Sequence, residues 1–334
     1  MIIKCTNSIE VNSIKNKWKV FLAGPIQGAP EWQFEMPEYD NVVWFSPRRP
    51  STLDKSTFNY NEQVEWETKA LLSSNVVLFW IPKQLETVEG RSYAQTTRYE
   101  LGEYIARGKK VIIGVYDEFP GRRYLEYKAA NYSNVLGIYN NLNDCLDCLQ
   151  NYINADMPNV WFTSDTHFSS ERTLELSKRP FGSIKEMDWT MISNWNNVVK
   201  PNDIVFHLGD FGETWPVPYL SGLIQLVYGN YERDGKMDIN PSLFDKVNEK
   251  PIKITHRETK TPLVLCHEPL TGKKWAIKNG GFCLFGHIHG RQKVKEFGID
   301  VGVDGNNFTP ININDIMFLI NAIKKGYYDG EVWS

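Results

Sequence analysis

Six short fragments in the second half of the chain carry residue types that bind metal ions. They are Asp165-Thr166-His167, Gly209-Asp210, Gly229-Asn230, Cys266-His267-Glu268, Gly286-His287 and Ile288-His289-Gly290. Each places a carboxylate, an imidazole or an amide oxygen beside a strand end or a glycine. A phosphoester resists attack because its oxygens are negative and its leaving alkoxide is poor. Two cations about 3.5–4 Å apart overcome both obstacles by clamping the phosphoryl oxygens and acidifying a water. Such a site requires one carboxylate that can bridge the ions. Asp210 is the natural bridge, delivered by the apolar run Ile204-Val205-Phe206 and a tight turn at Gly209. Asp165 and His167 are two apart after another strand-like run, so on extended backbone both face the same way. His287 and His289 repeat that spacing. Asn230 adds a neutral oxygen and His267 a nitrogen, and Asp210, Asn230 and His267 are also the candidate catalytic residues. Mixed nitrogen and oxygen ligation suits Mn²⁺, Fe, Zn²⁺, Ni²⁺ or Co²⁺ better than Ca²⁺.

Other residues of the same types read as structural. His256 is isolated, and His207, two residues before Gly209, reads as a packing or supporting residue. Arg172 and Arg291 either grip a substrate phosphate or lie on the surface. Cys145 and Cys148 have redox or zinc spacing but fall in a helical pattern with no second pair, which favours a plain helix face.

The elements that must position these groups form two series. With 334 residues the chain is expected to hold two domains. Residues 1–16 read as a tail or an added edge strand. In residues 17–154, apolar runs at Val20–Ala23, Val42–Phe45, Val76–Ile81, Val111–Val115 and Val135–Tyr139 alternate with helical patterns at Asn61–Leu72, Thr97–Arg107 and Asn143–Ile153. Strands apolar on both faces and separated by helices predict an α/β domain with a five-stranded parallel sheet, flavodoxin- or Rossmann-like. Sites in such sheets collect at the carboxyl ends of the strands. Residues 158–334 form the second predicted domain, in which every strand-like run is followed almost at once by one of the suspected ligands.

Residues 158–325 resemble the calcineurin-like metallophosphoesterases through the six fragments and Val301-Gly302-Val303-Asp304-Gly305-Asn306. The resemblance implies an α+β domain, a β-sandwich flanked by helices. It also implies one metal held by Asp165, His167, Asp210 and His289, and a second held by Asp210, Asn230, His267 and His287. Members acting on monoesters usually have histidine after the asparagine, in the pattern GNH[DE]. This chain has Gly229-Asn230-Tyr231-Glu232. That histidine helps protonate the leaving oxygen or steadies the transition state. Tyrosine, with a reference pKa of about 10, is a poorer proton donor at neutral pH. Phosphodiesters, or esters with good leaving groups, are therefore the expected substrates, with Tyr231 a candidate substrate contact.

Three segments stand out in the first half. Phe21-Leu22-Ala23-Gly24-Pro25-Ile26 runs a strand into a Gly-Pro turn that is not the GxGxxG fingerprint. Ser46-Pro47-Arg48-Arg49-Pro50 puts two cations where a strand ends, as a phosphate or base contact or as a solvated turn. Thr96-Thr97-Arg98-Tyr99-Glu100-Leu101-Gly102 reads as a helix start with Glu100 in its first turn, where the helix dipole would favour the anion. An ionised carboxylate beside a sugar ring can attack the anomeric carbon; alternatively Glu100 simply stabilises the helix start. The Ala-Gly-Pro segment, Trp80-Ile81-Pro82 and the run around Glu100 resemble the nucleoside 2-deoxyribosyltransferase-like families. The resemblance implies Glu100 as nucleophile, and homo-oligomers are common among such proteins; Gly24, Pro25, Arg48, Arg49, Trp80 and Arg98 are the candidate substrate contacts. Two departures are visible: Asn75 stands where an aspartate is frequent, and Tyr93–Thr97 lacks the acidic residues that often precede the nucleophile.

Together these features predict a bifunctional nucleotide-processing enzyme. A dinuclear phosphoesterase would be joined to a domain that cleaves or transfers an N-glycosidic bond. The alternative is a phosphoesterase whose first domain is only a nucleotide-binding module. The expected partner is a nucleotide or nucleoside-containing small molecule. A net charge of −3 gives no support for an extended nucleic-acid surface. No run reaches the roughly 20 apolar residues of a membrane helix. Five scattered cysteines and an N-terminus without a signal-peptide pattern fit a reducing cytoplasm.

Overall fold

The first-half strands are β1 (Ile2–Lys4), β2 (Trp18–Ala23), β3 (Val42–Ser46), β4 (Val76–Ile81), β5 (Lys110–Val115) and β6 (Val135–Tyr139). They form one sheet in the order β1-β3-β2-β4-β5-β6, with every pairing parallel. The sheet thus has six strands rather than five. The sixth is Ile2–Lys4, which pairs with Trp44–Ser46 at the edge. Three residues are too few to show a period, which is why this segment read as tail or strand. The structure, a computed structural model, describes residues 1–6, 14–50, 58–155 and 157–327. Its chain divides into two compact units, Met1–Met157 and Pro158–Ser334.

Alternation along β2 covers the first sheet on both faces. Val20 and Leu22 share a core with Trp18, Trp44 and Leu78, closed by Cys145, Leu149 and Ile153 of helix α4 (Leu142–Asn154). Phe21 and Phe45 instead meet Trp66 of helix α1 (Tyr60–Ser73). Asn59 caps α1 by accepting hydrogen bonds from the Asn61 and Glu62 amides, and Asn141 caps α4 through the Asp144 amide. Cys145 is part of this core, and burial pushes its thiol up to about 12, far from the thiolate a metal or redox pair needs. Helix α2 (Gln95–Ala106) links β4 to β5. Helix α3 (Arg122–Ala129) was not anticipated from the sequence. Because β3 and β4 flank β2 on opposite sides, the strand order reverses between β2 and β4, the place where sheets of this kind gather their sites at the strands' carboxyl ends.

The second unit contains two five-stranded sheets. The first has the order β10-β9-β8-β7-β16, built from β7 (Val160–Thr163), β8 (Ile204–His207), β9 (Leu223–Val227), β10 (Lys246–Asn248) and β16 (Ile311–Asn312). The second has the order β11-β12-β13-β15-β14, from β11 (Ile252–Thr255), β12 (Pro262–Leu265), β13 (Phe282–Phe285), β14 (Val294–Lys295) and β15 (Gly298–Asp300). Phe162, Phe206 and Val227 of the first sheet share one core with Leu263, Leu265, Leu284 and Ile299 of the second. The sheets therefore pack face to face. Ile316 and Ile320 of the last helix (Ile313–Lys324) close that core. The helix Pro269–Asn279 covers the outer face of the second sheet, where Ala276 packs on Cys266, Cys283 and Phe285. Among the described residues, no helix is long and apolar enough to cross a membrane.

Candidate functional site

Five strand ends of the second unit deliver the suspected ligands. Asp165 and His167 follow β7, Asp210 follows β8, Asn230 follows β9, His267 follows β12, and His287 and His289 follow β13. Five of these seven side chains sit on left-handed backbone, with φ of 57° at Asp165, 47° at His167, 55° at Asp210, 74° at His287 and 51° at His289. Each such residue costs about 1–3 kcal/mol, and it persists only where its surroundings over-determine it. Here the loops brace one another. The Asp165 amide donates to the Gly209 carbonyl at 3.1 Å, and the His167 amide to the Asp210 carbonyl at 3.0 Å. Glu232, nearly buried, accepts from the amides of Asp210, Phe211 and Gly229 at 2.8–2.9 Å. Gly209 itself has φ +91°, and a side chain there would collide with the Gly229 backbone.

The side chains converge. Donor atoms of Asp165, His167 and His289 lie within 4.8 Å of one another, as do those of Asp165, Asp210 and His267. Asp210 Oδ2 lies 3.5 Å from His167 Nε2 and 3.4 Å from His267 Nε2. Asn230 Oδ1 is 3.1 Å from His267 Nε2 and 3.0 Å from His287 Nδ1. Asp165 belongs to both donor groups, whereas a single Asp210 oxygen faces one imidazole of each.

A cation fits this donor set. His167 is 1% exposed, and among the described residues neither ring nitrogen has a hydrogen-bond partner. Leaving a buried polar atom unpaired costs about 1–3 kcal/mol. Burial holds the ring neutral by lowering its pKa to about 4. His267 donates from Nδ1 to the Leu208 carbonyl at 2.7 Å, which turns Nε2 toward Asp210 and Asn230. Burial opposes its protonation, but the Asp210 hydrogen bond prevails and raises His267 to about 9. In turn Asp210, despite burial, is drawn down to about 2 by His267. A divalent cation would displace that shared proton.

Several supporting groups had no legible role in the sequence. Asp304 accepts from His289 Nδ1 at 2.9 Å, leaving Nε2 for a ligand. Arg179 grips Asp304 with two nitrogens and donates to the backbone carbonyls of Asp165 and Thr166. Asp300 accepts from the Gly290 and Gly302 amides. Only the order of the motifs around Glu232 and Asp304 marked those two; nothing marked Arg179. His207 is fully buried, 2.9 Å from Thr166 Oγ1, and burial lowers it to about 3. His256, by contrast, pairs with Thr259 in a surface turn.

In the first unit, Gly24 stands at the carboxyl end of β2 against the Trp80 carbonyl and the Trp32 ring, with no room for a side chain. Trp32 Nε1, Gln33 Nε2 and Ser46 Oγ are buried without partners among the described residues. Arg48 is buried, and it donates to Gln33 Oε1 and to the carbonyls of Ile26, Ala29 and Pro30. It fastens the loop after β2 instead of projecting as a solvated turn. Arg49 lies over the Phe58 ring and Arg98 over Phe119. Asn75 ties the amino ends of β2 and β4 together through Lys19, at the opposite end of the sheet from Gly24.

The expected helix position of Glu100 is corrected. The helix begins at Gln95, so Glu100 lies in its second turn and gains nothing from the helix start. Burial, then the charges of Glu67 and Glu103, push its carboxyl up to about 8. Glu67, on α1, was not singled out in the sequence; burial raises its pKa as well.

A family model described as nucleoside 2-deoxyribosyltransferase like matches residues 17–119. These residues form a nucleoside 2-deoxyribosyltransferase-like domain. An uncharacterised protein of Methanocaldococcus jannaschii is 29% identical over 185 residues, spanning 51% of this chain and 94% of its own length. The gene 66 protein of Mycobacterium phage L5 is 26% identical over 205 residues, spanning 51% of this chain and 97% of its own length. A solved protein of unknown function from Aquifex aeolicus aligns over 49% of this chain and 100% of its own, with 23% identity and a TM-score of 0.39.

Proposed function

We propose that the second unit is a dinuclear metallophosphoesterase, and that the first cleaves or transfers the N-glycosidic bond of a nucleoside or nucleotide. The observation that carries the first half of this reading is the convergence of five of the seven candidate ligands in two donor groups that share Asp165, with Asn230 and His287 beside His267, and with both buried ring nitrogens of His167 unpaired among the described residues. Asp165, His167, Asp210 and His289 would hold one cation, and Asp210, Asn230, His267 and His287 the other. Bound there, the two ions would supply Lewis acidity to the phosphoryl oxygens and an acidified water.

The chain's own residues do the rest. Leu208 and Asp304 fix the tautomers of His267 and His289. Glu232 and Arg179 hold the ligand loops in their strained backbone. Tyr231 stands edge-on to His167 with ring centroids 4.9 Å apart and donates its amide to Asp210 Oδ1. A tyrosine at that place supports a preference for phosphodiesters or good leaving groups over alkyl monoesters.

For the first unit, the matched family and the buried polar atoms unpaired among the described residues support nucleoside recognition. Glycosyl transfer through Glu100 requires its carboxylate form. A second reading, in which this unit only binds nucleotides, is favoured by the raised pKa of Glu100. Incubating the protein with a panel of nucleosides and nucleotides and Mn²⁺, with mass-spectrometric detection, reports both bonds at once. Phosphoester cleavage lost in Asp210→Ala and free base lost in Glu100→Ala are expected. Phosphoester cleavage without base release across the panel selects the binding-module reading.

A further inference from the structure

We propose that Arg172 and Tyr231 form an anion subsite beside the ligand cluster, where the Arg172 guanidinium, seated on the Tyr231 hydroxyl, grips a phosphoryl oxygen of the substrate. This rests on the phosphoesterase reading and gives the place of the missing histidine a different role. Arg172 Nη1 donates to Tyr231 Oη at 2.6 Å, joining positions 59 apart in the chain. The hydroxyl accepts that bond, so its own proton remains available to an acceptor. Tyr231 is fixed in turn, its ring against His167 and its amide on Asp210. Among the described residues Arg172 has no carboxylate partner, unlike Arg179 on Asp304 or Arg122 on Asp117 and Glu126. Lys236 Nζ adds a second positive charge 5.3 Å from the Tyr231 ring centroid, although it also pairs with Asp234.

An uncompensated arginine tethered within one residue of a metal ligand suits an anion, and its planar fork matches two oxygens of a phosphoryl group. A histidine offers one donor at this place, whereas the arginine offers several. The chain therefore exchanges a proton-donating ring for a permanently charged grip. This raises affinity for the phosphoryl group more than it assists departure of a poor leaving group.

The probe is inorganic phosphate, titrated calorimetrically into the Mn²⁺-loaded full chain. Mn²⁺ binding to each variant is measured first. Arg172→Ala is expected to weaken phosphate binding roughly ten- to hundredfold, the value of a charge-assisted hydrogen bond. Tyr231→Phe, which keeps the ring but removes the acceptor, is expected to weaken it about three- to tenfold. Both should bind Mn²⁺ as the unaltered chain does. Arg172→Lys should restore only part of the loss, since a point charge lacks the fork. Unchanged phosphate affinity in Arg172→Ala overturns the proposal while leaving the phosphoesterase reading intact. So does a parallel loss of Mn²⁺, because Arg172 would then be structural. Failure of the unaltered chain to bind Mn²⁺ at all overturns the phosphoesterase reading and this subsite with it.

Discussion

Arg179 and Asp304, 125 positions apart, meet in a two-pronged ion pair at 2.8 and 2.9 Å that joins the Asp165-His167 loop to His289. The Arg179 side chain is fully buried and that of Asp304 nearly so. Burial would raise the Asp304 carboxyl, but His289 and Arg179 hold it down at about 2. Removing one partner of a buried pair strands the other charge, at a cost of about 3–5 kcal/mol. Arg179→Ala should therefore lower unfolding stability by about that amount in urea titrations, and weaken Mn²⁺ binding through the loosened loop. A loss below about 1 kcal/mol would show the pair to be dispensable.

Metal binding should stabilise the fold, because the donor set is assembled only in the folded chain. Saturation at one hundred times the dissociation constant adds about 2.7 kcal/mol per site. Thermal melts with graded Mn²⁺ should show a rising Tm that chelator reverses. A Tm independent of Mn²⁺ would contradict the ligand assignment.

Replacing Tyr231 by histidine should shift preference toward monoesters. Bis(p-nitrophenyl) phosphate and an alkyl phosphate, assayed side by side, are the test. The unaltered chain should prefer the diester, and Tyr231→His should narrow or reverse that ratio by about tenfold or more, given the 10²–10⁴-fold worth of a positioned proton donor. Faster clearance of the alkyl monoester by the unaltered chain would remove the basis for the preference.

Glu100 gives a pH-dependent expectation whose sign is fixed by the direction of its shift. Its carboxyl is raised from 4.5 to about 8 in the folded chain. The stability it contributes is fully present below about pH 4.5 and is lost as pH rises through about 8. Glu100→Gln should consequently melt like the parent near pH 4 and higher than the parent near pH 9. If Glu100 is a nucleophile, base release should climb toward a plateau above about pH 8. A pH-independent difference in Tm between the two proteins would show that Glu100 is not held protonated.

The convergence of side chains in the second unit was legible because each candidate ligand is tagged locally. Asp210 follows a glycine and an apolar run, and His287 and His289 alternate behind β13. What braces them was not legible. Arg179 reaches Asp165 and Thr166 from a loop with no pattern of its own, and Glu232 acts through backbone amides that leave no trace in residue type. In the first unit the parallel sheet followed from its doubly apolar strands. The start of α2 did not, because Ala94 takes a left-handed conformation there without a capping side chain. That shift of the helix start is what moves Glu100 out of the first turn. Arg48 showed that a basic pair after a strand can serve loop packing as readily as a ligand.

Asp210→Asn is the sharpest probe of the proposed bridging role of Asp210, since asparagine keeps the size and tolerates the left-handed backbone at φ 55° while losing the charge. Mn²⁺ stoichiometry and bis(p-nitrophenyl) phosphate hydrolysis should be measured on both proteins. Two ions bound and metal-dependent turnover in the parent, with both lost in a folded Asp210→Asn, is the expected result. A parent that binds no metal, or an Asp210→Asn protein that binds and turns over as the parent does, would contradict it.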